Sequence, residues 1–379
     1  MSGLPDPAPG SLRLGRCWAE VDLGAIRHNV AAVRAHVGAG TGIMAVVKAN
    51  AYGHGLARVA GTLRDQVEMF GVANVTEARE LRAGLPEVPV AILGAALPDE
   101  RAEVAASGLE PTVSSVEEAA AYSAFAGASR VRLHLKIDTG MGRMGVSEGE
   151  ALSAARAICQ LRGVEIAGIA THLPVADEDD EYTRDELARF GKLVAALRLQ
   201  GCADAVVHAS NSAGIIGFPA HAGGLVRPGL MLYGSAPRPE FQERLRPALT
   251  WKTRITLVRD VGAGNCLSYG RTFTASRPMR VATLAVGYAD GYRRHLSGRG
   301  AEVLIRGRRC AVLGRVTMDQ ILVDVTDHEA VAPGEEVVLL GSQGHEAISA
   351  AELAHKAGTI PWEIFTGIGQ RVERRYHEP

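Results

Sequence analysis

Several segments of this chain bring reactive side chains to the ends of apolar runs. Ala45-Val-Val-Lys48-Ala-Asn-Ala-Tyr52-Gly-His-Gly55 closes an apolar stretch on a primary amine. Leu135-Lys136-Ile-Asp138-Thr-Gly-Met-Gly-Arg143 ends on a guanidinium behind a glycine turn, and Thr171-His172, Asn211-Ser212 and Arg227-Pro-Gly229 follow. An unprotonated lysine amine attacks carbonyl carbon. A serine hydroxyl and backbone amides freed by a glycine suit a phosphate. An amine facing such a cradle points to a Schiff base with a phosphorylated aldehyde, pyridoxal 5'-phosphate. Arg227 then suits the pyridine nitrogen, His172 a place against a flat ring or beside an acid, and Arg143 a substrate carboxylate. Each group also has a plainer reading. Lys48 could snorkel to water, Arg227 form a rim salt bridge and His172 serve structure alone. Lys136, Asp138 and Arg143 could form a charged rim.

Positioning these groups in one place requires a closed architecture. Between residues 20 and 235, eight short β-rich runs alternate with helical patterns: Ile43–Ala49, Met69–Ala73, Val88–Leu93, Leu109–Val113, Arg130–Asp138, Glu165–His172, Val206–Ala209 and Leu225–Leu232. Several are almost wholly apolar, as parallel strands covered on both faces must be. Helical stretches are expected at Asp22–His36, Thr76–Ala83, Ser115–Phe125, Ser147–Leu161 and Thr183–Leu199. The pattern predicts an α/β fold: an N-terminal (β/α)₈ TIM barrel with its reactive groups at the carboxyl ends of the strands. An open doubly wound sheet competes, but no GxGxxG follows the first strand. Beyond about residue 245 short alternating runs take over (Trp251–Val261, Arg280–Val286, Ala301–Ile305, Arg309–Val316, Ile321–Val325, Glu336–Leu340), with Ala350–Ala357 the one clear helix. The expected division is an N-terminal extension at 1–17, a barrel at 18–245 and a C-terminal mainly-β domain at 246–379. Gly287-Tyr288-Ala-Asp-Gly-Tyr292 is too polar for a plain strand and reads as a turn.

The 379 residues carry 41 basic and 42 acidic side chains, a net charge of −1, which argues against a nucleic-acid partner. With 47% hydrophobic and 22% charged residues, the chain is expected to fold rather than stay disordered. No apolar run approaches the ~18 residues of a membrane span, and the first sixteen residues lack the apolar centre of a secretory signal. Five scattered cysteines without a CxxC pair exclude a disulfide framework and a cysteine zinc site, and fit a cytoplasmic protein. No His, Cys, Asp or Glu cluster has metal-ligand spacing.

The segment Ala45–Gly55 resembles the cofactor-attachment motif of the alanine racemases. The same family order recurs in Leu135–Gly145, Thr171-His-Leu with Ala176-Asp, Asn211-Ser212 and Val226-Arg-Pro-Gly with Tyr233-Gly234. It continues through Ser268-Tyr269-Gly270, Val286–Tyr292 and Gly314-Arg-Val-Thr-Met-Asp-Gln320, so the likeness spans Trp18 to Tyr376. The resemblance implies pyridoxal 5'-phosphate and a two-base racemisation of alanine. Lys48 would be the Schiff-base lysine and the base on the D face. Tyr269, supplied by the partner in a homodimer, would be the base on the L face. Tyr52, Asn211, Ser212 and the amides of Gly229 and Leu230 would hold the cofactor's phosphate end, with Arg227 on the ring nitrogen and His172 beside the ring. Arg143 and the Met318 amide would orient the substrate carboxylate. Lys136, often carbamylated in the family, would brace Arg143, and Tyr288 and Asp319 would support the site. The resemblance also implies that the N-terminal segment joins the second domain.

The chain departs from the family's pattern near its C-terminus. Where the family usually reads Ile-Pro-Tyr-Glu, this chain has Ile360-Pro-Trp362-Glu, and Gly369 stands where serine is frequent. The family tyrosine reaches the phosphate, whereas an indole offers only an N–H donor in a larger body. Alternatives within the fold are racemisation of serine or of a broader range of small amino acids, or decarboxylation. A decarboxylase would carry a glutamate in place of Arg227 and a partner-chain cysteine motif. A non-catalytic cofactor carrier would have no use for Tyr269 and Arg143.

Overall fold

In the computed structural model, which describes residues 15–127, 130–221, 223–328 and 331–378, parallel strands begin at Gly42. The expected N-terminal extension lies outside the described residues up to position 14. Eight strands pair in parallel, in sequence Gly42–Val46, Met69–Val72, Val90–Ile92, Glu110–Val113, Val131–Asp138, Val164–Ala170, Val206–His208 and Leu225–Val226. They are called strands one to eight below. Strand eight returns to strand one, with Leu225 opposite Gly42 and Val226 opposite Ile43. The Gly224 and Arg227 N–H groups donate to Val207 and Ser210 carbonyls at 3.1 and 2.9 Å, so strands seven and eight nearly close the barrel. Strands two, three and four are buried throughout, which accounts for the unbroken apolar composition of strands two and three, while strand four buries Glu110 and Thr112 among its residues.

Helix starts follow local capping chemistry. Asp22 accepts the Ala25 N–H at 2.8 Å and caps Leu23–Val37. Ser115 accepts the Glu118 N–H at 3.1 Å while Glu118 accepts the Ser114 N–H at 2.6 Å, a reciprocal start for Val116–Ser123. Other boundaries move. Asn74, not Thr76, caps Val75–Gly84. Val146–Ser147 becomes a short strand beside Ile137–Asp138, so the helix expected from Ser147 begins at Ala151. Asp179 caps Asp180–Arg198, three residues before the expected start. The helices Leu56–Leu63, Arg101–Ala106, Ser212–Gly217 and Pro361–Thr366 were not foreseen.

Among the described residues the chain forms two compact units, one of residues 22–248 with 377–378 and the other of residues 15–21 with 249–376. In the second unit Cys17–Val21 pairs antiparallel with Leu249–Thr253, which ties this segment to the sheet. The long strand Leu249–Val261 also pairs with Met279–Leu284 and with Glu336–Gln343. Gly287–Tyr292 is a turn: the Gly287 N–H donates to Asp290 Oδ2 at 2.9 Å. No helix among the described residues is long and apolar enough to cross a membrane.

Candidate active site

Strand one ends at Val46, earlier than its apolar run suggests, because the chain then turns left-handed. Ala49, Asn50, Ala51 and Tyr52 all have φ of 52–53°, directly after Lys48. That conformation costs roughly 1–2 kcal/mol per L-residue, so it persists only where the surroundings hold it. Glu77 does so from the first turn of Val75–Gly84. Its carboxylate accepts the Ala49 N–H at 2.7 Å and the Ala73 N–H at 2.8 Å. Asn50 Oδ1 accepts the Leu56 N–H at 2.8 Å, fixing the exit. Glu77→Gln replaces one acceptor oxygen with a donor that would face a backbone N–H. We expect it to lower stability by about 0.5–1.5 kcal/mol, the net contribution of one hydrogen bond. A denaturant midpoint unchanged from the parent would remove Glu77 from this role.

The turn carries Tyr52 back against the barrel. Its ring stacks on Tyr233 at 4.8 Å between centroids, and the Tyr233 hydroxyl donates to the Val46 carbonyl at 3.0 Å. A Cβ on Gly229 would lie 2.5 Å from Tyr52 Oη, so only glycine lets this hydroxyl in. Ser212 Oγ accepts the Gly229 N–H at 3.0 Å from the other side. Leu230 opens the 3₁₀ turn Leu230–Tyr233 immediately behind. Two hydroxyls and a glycine amide thus meet in a cradle that a side chain would fill, which fits a phosphate end. Asn211 stands directly before Ser212, at the start of Ser212–Gly217. Its Oδ1 caps Ser212–Gly217 by accepting the Gly214 N–H at 3.0 Å, and its Nδ2 donates to the Leu173 carbonyl at 3.1 Å. Both ends of its amide help to position Ser212.

Positive groups converge on the same mouth. Burial pushes the Lys48 amine below its ordinary range, Arg143 and Arg227 push the same way, and Glu77 opposes them. Burial and the same two arginines take Lys136 well below. Burial, then Arg227, Lys136, Arg143 and Lys48, holds His172 down at about 2, so its ring is neutral. Asp138 accepts the Gly140 and Gly142 amides at 3.1 and 3.0 Å, shaping the turn that exposes Arg143. Arg227 is buried, which lowers it to about 10. It reaches His208 Nδ1 at 2.8 Å, His172 Nδ1 at 3.2 Å and the carbonyls of Thr171, His208 and Ala209 at 2.6–2.8 Å. It is therefore no rim salt bridge.

The second unit holds the remaining expected residues. Tyr269 stands on a tight turn between Cys266–Leu267 and Phe273–Thr274, with Ser268 and Arg271 at φ of 61° and 51°. The Ser268 hydroxyl donates to the Arg315 carbonyl at 2.6 Å and anchors the turn. Tyr269 is 70% exposed and Met318 53%. With Asp319, Asp290 and Arg371 they line a cleft of about 810 Å³, where Arg371 bridges Asp290 at 2.9 Å and Asp319 at 2.8 Å. Tyr288 is exposed, and its N–H donates to the Thr317 carbonyl at 3.0 Å. Trp362 is half-buried on Pro361–Thr366. Sequence reasoning missed Glu77, His208 and Arg371. For Glu77 the Asn74-x-x-Glu77 capping pattern was the available signal.

Comparison with known proteins gives the same grouping. Residues 21–237 match the family model of the alanine racemase N-terminal domain, and residues 248–376 that of the C-terminal domain. The chain is 43% identical over 365 residues to the alanine racemase of Halothermothrix orenii, covering 95% of this chain and 96% of that one. It is similar to the crystal structure of alanine racemase from D-cycloserine-producing Streptomyces lavendulae (TM-score 0.90, 34% identity, 96% and 98% covered). It is also similar to alanine racemase from Bartonella henselae with covalently bound pyridoxal phosphate (TM-score 0.87, 30% identity, 96% and 100% covered). This chain belongs to the alanine racemase family.

Proposed function

We propose that the protein interconverts L-alanine and D-alanine, holding pyridoxal 5'-phosphate at the barrel mouth. One observation carries this reading: Lys48 sits at one end of a clamped left-handed turn whose other end, Tyr52, joins Ser212 and Gly229 in the cradle. Lys48 Nζ would hold the cofactor's aldehyde carbon. Tyr52 Oη, Ser212 Oγ and the Gly229 and Leu230 amides would hold its phosphate, and Arg227 its ring nitrogen, with His172 beside the ring. When bound, the cofactor supplies an electron sink for the pair released as the α proton leaves.

This chain's own groups do the rest. The Arg143 fork and the Met318 amide orient the substrate carboxylate. Lys48 Nζ takes or returns the α proton on the D face, and Tyr269 Oη does so on the L face. Lys136 braces Arg143, and Tyr288 and Asp319 support the approach. Arg227 donates and keeps its proton, so the nitrogen it faces stays unprotonated, which restrains side reactions such as transamination. A donor at that position, rather than an acid, favours racemisation over decarboxylation. The protein acts as a homodimer in which a second copy supplies Tyr269. The exposure of Tyr269 and Met318 at the cleft supports this, since it leaves both side chains open to a second chain. Optical rotation of L-alanine should decay to zero on adding the holoenzyme, faster than that of L-serine. Persistent rotation, or release of CO₂, would sink the proposal.

Trp362 should weaken the grip on the phosphate relative to a tyrosine, because one hydroxyl donor is missing. Hydrogen bonds to charged groups contribute about 1.5–3 kcal/mol, so Trp362→Tyr should tighten cofactor retention by at most about ten- to a hundredfold. It should also change inhibition by cycloserine. Dialysis with cofactor occupancy followed by absorbance reads the first effect. Equal loss from variant and parent, with unchanged inhibition, would make Trp362 a packing residue only.

A further inference from the structure

A line of buried polar side chains leads from Arg227 through the barrel interior, and its members beyond Arg227 take no part in the steps above. From Arg227 Nη1 it runs to His208 Nδ1 at 2.8 Å, from His208 Nε2 to His134 Nδ1 at 2.7 Å, and from His134 Nε2 to Glu110 Oε2 at 2.8 Å. All four residues are buried. Glu110 Oε1 accepts from Arg132 Nε at 2.9 Å, and Arg132 continues to Glu165 at the surface. Strand six leaves room for the line: a Cβ on Gly168 would lie 2.3 Å from His134 Nδ1.

The two ends of the line set its protons. A guanidinium only donates, so His208 Nδ1 must present a lone pair to Arg227. His208 therefore carries its proton on Nε2 and donates it to His134 Nδ1. His134 is left with its proton on Nε2, which donates to Glu110. Both rings are then neutral Nε2–H tautomers, and the hydrogen bonds all point from Arg227 towards the carboxylate. Burial works to raise Glu110, but the hydrogen bonds from His134 and Arg132 prevail and hold it below the ordinary carboxylate range. Nη1 of Arg227 gives its two hydrogens to His208 Nδ1 and the His208 carbonyl, and Nη2 shares its two among the Thr171 and Ala209 carbonyls and His172 Nδ1. Its Nε–H has no partner among the described residues.

We propose that Glu110 and His134 are positioning residues for Arg227: by fixing His208 as an acceptor, they hold the guanidinium in a setting that leaves Nε–H for the cofactor's ring nitrogen. Without them His208 is free to carry its proton on Nδ1, which would set an N–H against the Arg227 N–H. The inference rests on the role given to Arg227 above, and its test separates the two.

Neutron diffraction of the deuterated dimer should show deuterium on Nε2 of both His208 and His134 and none on either Nδ1. Two variants break the line at different points, Gly168→Ala by crowding His134 and Glu110→Leu by removing the acceptor. Each should lower kcat by about tenfold while the alanine KM stays within about twofold, the scale at which a supporting hydrogen-bond partner acts. Each should also shift the pH dependence of the bound cofactor's absorption band. Arg132→Met cuts the same ion pair to Glu110 without touching His134, and should leave both kcat and the band unchanged. Deuterium on either Nδ1 overturns the proposal. So does a kcat loss in Arg132→Met equal to that in Glu110→Leu, or an unchanged band in both line-breaking variants. A parent enzyme that fails to racemise alanine would overturn the functional reading instead, with the deuterium positions still deciding the tautomers.

Discussion

Lys48→Met is expected to abolish racemisation, with a loss of at least about ten-thousandfold, because under the proposed function one side chain would serve both as attachment point and as proton carrier. The structure gives two reasons for choosing this amine. It opens the turn that follows strand one and leads to the cradle formed by Tyr52, Ser212 and Gly229, and burial together with Arg143 and Arg227 pushes it below its ordinary range. For an amine, a lowered pKa means that more of the neutral, nucleophilic form exists at a given pH. In cofactor-free protein Lys48 should therefore react with an amine reagent at lower pH than Lys252, which ion pairs to Glu20 and Glu336 push the other way. Borohydride reduction of the holoenzyme, followed by peptide mapping, should place the cofactor on the peptide containing Lys48. Label on the peptide of Lys136 or Lys252 would overturn the assignment.

The barrel was legible because its strands are buried on both faces and so read as apolar runs, and the capping residues Asp22 and Ser115 mark helix starts by their own hydrogen bonds. Convergence of Lys48, Lys136, Arg143, His172 and Arg227 followed from one rule: the ends of parallel barrel strands share a mouth. The turn after Lys48 was not legible. Ala49-Asn-Ala-Tyr52 has no glycine to announce positive φ, and the conformation is imposed by Glu77, which is distant in sequence. Strand eight was drawn too long because Pro228 has no N–H to donate and the chain coils at once into Leu230–Tyr233. That Asn211 also caps Ser212–Gly217 is not legible, because residue type alone does not distinguish a cap from a contact. His134, His208 and Glu110 sit on different strands, and only the register brings them into line. Polar residues within β patterns carry no mark of which neighbour they will meet.

Tyr269→Phe should cut racemisation by about a hundred- to ten-thousandfold, the range of a positioned acid–base group, while leaving the cofactor bound. Phenylalanine keeps the ring, and the turn that presents it depends on Ser268, Gly270 and Arg271 rather than on the hydroxyl. The loss should be face-specific: exchange of the α proton of L-alanine with deuterated water should collapse, while exchange from D-alanine falls far less. Equal loss from both enantiomers would argue against a base on one face. The same variant tests whether the phenol comes from a second copy of the chain. If each site draws Lys48 from one copy and Tyr269 from the other, Lys48→Met and Tyr269→Phe homodimers are both inactive, yet a mixed dimer contains one intact pair. After random reassortment of equal amounts, about half the dimers are mixed and each has one working site of two, so activity should return to about a quarter of the parent's. A site built from a single chain has no such route, because every site in the mixture then lacks one of the two groups. No recovery after demonstrated subunit exchange would place Tyr269 and Lys48 of one working site in the same chain.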